Sequence, residues 1–280
     1  MTTTNFFIPR SIDEAVALLG KYGSELVVIG GGTIVMQRVN DGLLFPRQVM
    51  SLKRAEMNQI QQVNNHVEIG AAVTPAQLTQ LTTLPILAAA ARVLGTPAIR
   101  TMATIGGNLF AKPPYSDLSV PLLALDAHIA LRSDKGQRRL PLTQFFSDRE
   151  RGAIGCEELV TALQVPHPQG RSTYLKLGRR LANTPSVVAV AVHVVIDDAN
   201  AVCTSAHIAL GGAGPHPTGA ARAESALIGK RLDEASIAAA ADAAMGDSDP
   251  LTDALASSWY RRKMIGLYVR RALESLKQAT

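Results

Sequence analysis

The first patterned stretch of the chain repeats its apolar positions at helical spacing. Ser11 is followed three residues later by Glu14, a capping pair, and Ile12, Ala15, Val16 and Leu19 then share a face until Gly20 and Gly23. Leu26 to Ile29 is an unbroken apolar run that reads as a buried strand, and it ends in Gly30, Gly31, Gly32 and Thr33. Thr74, Pro75 and Gln77 start another helix with proline at its first position, and Leu87 to Leu94 is an alanine-rich helix closed by Gly95. A second glycine turn follows at Thr104 to Asn108, and Asp117 opens an apolar helix running to Leu125. Between His128 and Leu140 two strand-like runs flank Ser133, Asp134, Lys135 and Gly136, which predicts a hairpin.

From about Pro166 the texture changes, placing a domain boundary near residue 170. Val187 to Ile196 and Ala201 to Leu210 are strand candidates joined by Asp197, Asp198, Ala199 and Asn200. Beyond Gly214 the pattern is helical, with alanines over 235–244 and a last helix in which Tyr260, Met264, Leu267 and Tyr268 share a face.

The 280 residues are 47% hydrophobic and 18% charged, an ordinary globular balance that argues against disorder, collagen and coiled coil. No apolar run is long enough to span a membrane, and the N-terminal stretch lacks the basic-then-apolar pattern of a signal or transit peptide, so the expected location is cytoplasmic. The net charge is +5, yet the basic residues are scattered. Their densest run, Arg261, Arg262, Lys263, Arg270 and Arg271, reads as a solvated or partner-facing helix side, and without interleaved aromatics it does not suggest nucleic acid. Two cysteines, Cys156 and Cys203, are too few for an iron–sulfur cluster or a disulfide framework, so any cluster belongs to a partner.

The chemistry centres on the two glycine segments. Gly30, Gly31, Gly32 and Thr33 directly after a buried strand let main-chain N–H groups approach a phosphate, with a plain tight turn as the alternative. A nicotinamide-type Rossmann site is excluded, because Val35 stands where a small residue is needed and no acidic residue follows at the ribose position. The second segment carries two glycines between a hydroxyl and an amide. With Asp117 nine residues beyond Asn108, the pair suggests a diphosphate held from two sides, Asp117 being either a helix N-cap or a ribose ligand. The metalloprotease HExxH, the GxSxG elbow and zinc-type Cys/His spacings are absent, so no metal-binding residue is assigned.

Read together, VVIGGGTIVMQRVNDG (27–42) and IRTMATIGGNLFAKPPYSDLSVPLLALDA (99–127) resemble the FAD-binding medium subunit of molybdenum hydroxylases, the group of carbon monoxide dehydrogenase and xanthine dehydrogenase flavoproteins. YLKLGRR (174–180), GGAGPHPTGA and ASSWYRR extend the similarity over nearly the whole chain. The resemblance implies an α+β fold: a two-lobed FAD-binding domain of the PCMH type over 1–170, with lobes of about 1–55 and 56–170, then a smaller C-terminal α+β domain over 171–280 with an antiparallel sheet and helices. It further implies that Val28, Ile29, Gly30, Gly31, Gly32, Thr33, Ile34 and Val35, with Thr104, Ile105, Gly106, Gly107 and Asn108, hold the pyrophosphate and adjoining parts of FAD. Leu94, Asp117, Val160 and Lys176 fall at other cofactor-contacting positions.

The implied function is electron transfer. FAD in this chain takes electrons from a 2Fe-2S partner subunit and passes them to an external acceptor, while a large subunit carries the molybdenum cofactor and the complex is a dimer of heterotrimers. No residue of this chain is expected to act as a catalytic nucleophile. The alternatives are a self-sufficient FAD oxidoreductase and a non-catalytic assembly protein with a degenerate FAD site. Gly30 stands where the family usually has Ala and Ile34 where it has a polar residue, while Lys112, Pro113 and Tyr115 replace small residues before Asp117.

Overall fold

The computed structural model describes residues 4–112, 116–180, 183–197 and 199–277. Pro113 and Tyr115, and Asp198 of the expected turn, lie outside the described residues. The chain forms two compact units interleaved in sequence: one of residues up to Gln77, Pro97–Phe110 and Ala127–Pro166, the other of Leu78–Thr96, Ala111–Asp126 and the chain from His167 onward.

The first unit begins with β1 (Asn5–Phe7), α1 (Ile12–Tyr22), β2 (Leu26–Ile29), α2 (Val35–Asn40) and β3 (Gln48–Ser51). The Ser11 hydroxyl accepts the Glu14 N–H at 3.2 Å, while the Glu14 carboxylate reaches back to the N–H of Arg10 rather than of Ser11. Ala15, Val16 and Leu19 form the buried face of α1, and Gly23 at φ 51° ends it by returning its N–H to Leu19. The three strands pair in parallel in the order β1-β3-β2, which requires the crossovers that α1 and α2 supply.

Next in sequence are β4 (Ile60–Val63), β5 (His66–Gly70), α3 (Pro75–Leu78), α4 (Pro85–Val93), α5 (Pro97–Met102), α6 (Ile105–Leu109), α7 (Ser119–Ala124), β6 (His128–Ser133), β7 (Gly136–Pro141), α8 (Leu142–Glu150) and β8 (Leu159–Pro166). The five strands form an antiparallel sheet ordered β4-β5-β8-β6-β7, with β6 and β7 the expected hairpin. Residues 104–108 are not a turn but the start of α6, because Thr104 is its N-cap and accepts the Gly107 N–H.

The second unit is built on β9 (Arg171–Gly178), β10 (Ser186–Asp197), β11 (Val202–Gly211) and β12 (Thr218–Gly219), followed by α9 (Ala221–Ser225), α10 (Glu234–Gly246) and α11 (Ser258–Lys277). The strands form an antiparallel sheet in the order β12-β11-β10-β9. Val188, Val190, Val192 and Val194 of β10 point to one face and pack with Ile237, Ala240, Ile265, Val269 and Leu273 of α10 and α11. The opposite face carries Tyr174 and Lys176, where α4 and α7 pack.

The last helix differs from expectation. Its buried stripe is Arg261, Ile265, Val269, Ala272 and Leu276, whereas Tyr260 and Leu267 are exposed. Arg261 is not solvated: its guanidinium donates to both Asp253 carboxylate oxygens at 2.7 Å and to the Val187 carbonyl at 2.8 Å, which pairs the cation inside the unit while Nε stays without a partner among the described residues.

Candidate functional site

The first glycine segment leaves the end of β2 and enters α2. Main-chain N–H groups of Gly31, Gly32, Thr33 and Ile34 donate to no acceptor among the described residues. Gly32 has φ 72°, a left-handed conformation that turns the chain into α2 and favours glycine. The neighbouring glycines serve close packing: a Cβ on Gly30 would lie 2.5 Å from the Thr104 hydroxyl oxygen, and one on Gly31 would overlap the Met102 carbonyl. These two residues are therefore small so that two segments of the chain can meet, a packing demand distinct from both the phosphate cradle and the plain tight turn that the sequence suggests.

The second segment uses its donors differently. Ile105 N–H donates to Val73 at 2.8 Å, Gly106 to Ala71 at 2.9 Å, Gly107 to the Thr104 hydroxyl at 3.1 Å and Asn108 to the Thr104 carbonyl at 3.0 Å. All four are engaged by protein, so this segment offers shape rather than a nest of free N–H groups. Gly106 also has to be glycine for a structural reason, since its Cβ would meet Ala71 at 2.8 Å.

Both segments line one cavity of about 540 Å³ within the first unit, a volume suited to a cofactor-sized ligand. Its apolar wall includes Leu19, Leu26, Val28, Leu52 and Val160, and its polar wall includes Thr33, Thr104, Asn108, Arg149 and Glu158. Of the expected residues, Val28, Gly30 to Val35, Thr104, Gly106, Gly107, Asn108 and Val160 line it, while Ile29 and the fully buried Ile105 do not. Glu158 is held by Arg138 at 2.6 Å and by Gly155 N–H at 2.8 Å, and the Arg138 contact keeps its carboxyl below the usual range. Arg149 and Phe110 had no motif to announce them; only the fold brings them to the glycine segments.

Leu94, Asp117 and Lys176 belong to the second unit. Asp117 caps no helix: α7 starts after Leu118 without a side-chain cap. Instead the Lys176 ammonium donates to Asp117 Oδ2 at 2.7 Å and the Ser186 hydroxyl donates to Oδ1, with the side chains of Lys176 and Asp117 only 8% and 7% exposed. Lys176 also reaches the Val93 carbonyl at 3.5 Å, beside Leu94 at the end of α4. Tyr174, two residues from Lys176, is buried with its hydroxyl unpartnered among the described residues, and burial first, then the nearby Asp117 charge, raises its pKa well above the usual value.

Unpaired backbone donors and apolar walls thus meet in one cavity. The chain belongs to the flavoprotein family of the molybdenum hydroxylases: residues 2–168 match the FAD binding domain in molybdopterin dehydrogenase, and residues 172–276 match the CO dehydrogenase flavoprotein C-terminal domain. It is 32% identical to the nicotinate dehydrogenase FAD-subunit of Eubacterium barkeri, over 83% of this chain and 82% of that one. It is 29% identical to the carbon monoxide dehydrogenase medium chain of Hydrogenophaga pseudoflava, over 96% of each. A chain in the structure of carbon monoxide dehydrogenase from the same organism, in the form lacking the Mo-pyranopterin moiety of the molybdenum cofactor, superposes with a TM-score of 0.91 at 28% identity, covering 99% of this chain and 98% of that one. The residues present fit FAD: the apolar wall suits its rings, and the four free N–H groups suit its diphosphate.

Proposed function

We propose that this chain is the FAD-binding electron-transfer subunit of a molybdenum hydroxylase complex, taking electrons from a 2Fe-2S partner subunit and passing them to an external acceptor. The observation that carries this reading is the row of unpaired N–H groups from Gly31 to Ile34 opening on an apolar cavity, in a chain of this family. FAD, when bound, supplies reversible electron storage. Val28 to Val35, Thr104 to Asn108 and Val160 are the proposed cofactor residues of the first unit; Leu94, Asp117 and Lys176 are those of the second, where the Lys176–Asp117 pair fixes charge at the end of α4.

The proposed division is an FAD-binding domain over 1–170, in lobes of about 1–55 and 56–170, and a C-terminal domain over 171–280. The partners are a small iron–sulfur subunit and a large subunit carrying the molybdenum cofactor, assembled as a dimer of heterotrimers in the cytoplasm. Among the described residues no helix is long and apolar enough to cross a membrane.

A self-sufficient oxidoreductase needs a proton donor or acceptor at the flavin. The Arg138 hydrogen bond lowers the pKa of the cavity's carboxylate, Glu158, leaving it no proton to give and making it a weaker base, which favours a carrier of electrons over a substrate-transforming site. The test is copurification followed by reduction. The chain is expected to bring down a cysteine-rich and a molybdenum-containing subunit, and a substrate of the complex should bleach its flavin only when both are present. Partners without iron or molybdenum, or substrate turnover by the isolated chain, overturn the reading.

A further inference from the structure

Arg149 stands out among the residues lining the cavity. Its guanidinium donates to the carbonyl oxygens of Leu109 at 2.7 Å and Phe110 at 3.2 Å, and its Cζ lies 5.2 Å from the centroid of the Phe110 ring. These partners are neutral, and Arg149 forms no ion pair among the described residues. Burial lowers its pKa from the ordinary value. Among the described residues the one carboxylate lining the same cavity, Glu158, is already neutralised by Arg138.

A half-buried cation without a counter-ion is costly unless an anion completes it. Geometry indicates which anion. Arg149 grips the C-terminal end of α6, whose N-cap Thr104 lies against Gly30. At about 1.5 Å per residue, the five residues of α6 separate the two ends by roughly 8 Å. Arg149 and the free N–H groups of the first loop line the same cavity, and its carbonyl contacts hold the guanidinium in place before any ligand arrives.

We propose that Arg149 is the positioning cation for the FAD diphosphate, adding charge where the glycine loop adds only dipoles. The inference rests on the FAD reading and deepens it. Oxidised FAD carries its charge on the diphosphate, so Arg149 should act on the affinity of the oxidised cofactor, and salt should weaken that action.

The test is FAD titration of the cofactor-free full chain at about 50 mM and about 500 mM salt, for wild type, Arg149→Gln and Arg149→Lys. Arg149→Gln should bind FAD roughly tenfold more weakly at low salt, with the gap closing at high salt, and Arg149→Lys should recover most of the loss. A loss that persists unchanged at high salt and is not recovered by lysine assigns Arg149 a merely structural grip on α6 and overturns the proposal. Should Arg149→Gln fail to fold, the salt dependence of wild type decides: FAD affinity that falls as salt rises supports the charge role, and affinity indifferent to salt overturns it. Wild type that binds FAD with the same affinity as Arg149→Gln sinks this inference alone, whereas wild type that binds no FAD sinks the FAD reading with it.

Discussion

Gly31 and Met102 meet so closely that any side chain on Gly31 would overlap the Met102 carbonyl, and this contact joins the segment that follows β2 to the one that precedes α6. The obstacle is main chain, which does not swing aside as a flexible side chain does. Gly31→Ala should therefore destabilise the chain by roughly 1–3 kcal/mol and reduce cofactor retention with it. Ile34→Ala, at a 40% exposed side chain whose proposed contribution is its N–H, should change stability by no more than about 0.5 kcal/mol and keep the cofactor. Urea unfolding of the two variants checks the contrast; equal midpoints would contradict it.

Thr104 holds the other side of the junction, with its hydroxyl capping Gly107 and lying against Gly30. Thr104→Ala should cost about 1 kcal/mol by loss of the cap, and Thr104→Ser should restore most of it. Thermal unfolding separates them, and a serine variant as unstable as the alanine variant would argue that the methyl group matters instead.

The buried Lys176–Asp117 pair gives a larger expectation than helix capping does. Removing one partner, as in Asp117→Ala or Lys176→Met, leaves a charge without its complement and should cost about 3–5 kcal/mol. Replacing both by apolar residues should cost markedly less than the two single changes added together. A double-mutant cycle reads the coupling; simple additivity would contradict the pair.

These sites show where the chain was legible and where it was not. Helix starts at Ser11 and Pro75, the β6–β7 hairpin and the two long strands of the C-terminal sheet follow from periodicity and turn chemistry, which are local. The glycine loop was visible for the same reason. Arg149, the packing role of Gly31 and the Asp117–Lys176 pair were not, because each depends on residues 39 to 71 positions apart meeting in space. In α11 both stripes contain aromatic or aliphatic residues, and Arg261 joined the buried one only because Asp253 and the Val187 carbonyl are there to receive it.

Stability should also fall on mild acidification. His193 stacks on His207 across β10 and β11 and donates from Nε2 to the Gln169 carbonyl at 2.6 Å, yet burial chiefly, and His207 to a lesser extent, lower its pKa below the ordinary 6.5. The folded state thus binds this proton less readily than the unfolded one, so stability is full above about 6.5 and declines as pH falls toward the lowered value. Glu224 has the opposite sign: burial raises its pKa above 4.5, so protonation on further acidification favours the fold. His193→Gln should flatten the decline below pH 6.5 in denaturant melts, and Glu224→Gln, whose amide oxygen can still accept the Ile208 N–H, should be at least as stable as wild type at neutral pH. An unchanged pH profile in His193→Gln would assign the decline to other groups.

The cavity beside Gly31 to Ile34 is the centre of the account, and the mass of whatever the purified chain releases on denaturation tests it most directly. The chain should be yellow and should release FAD, because the unpaired N–H groups together with the apolar wall suit a diphosphate-bearing flavin. Release of FMN, or no flavin after reconstitution with excess FAD, would contradict it.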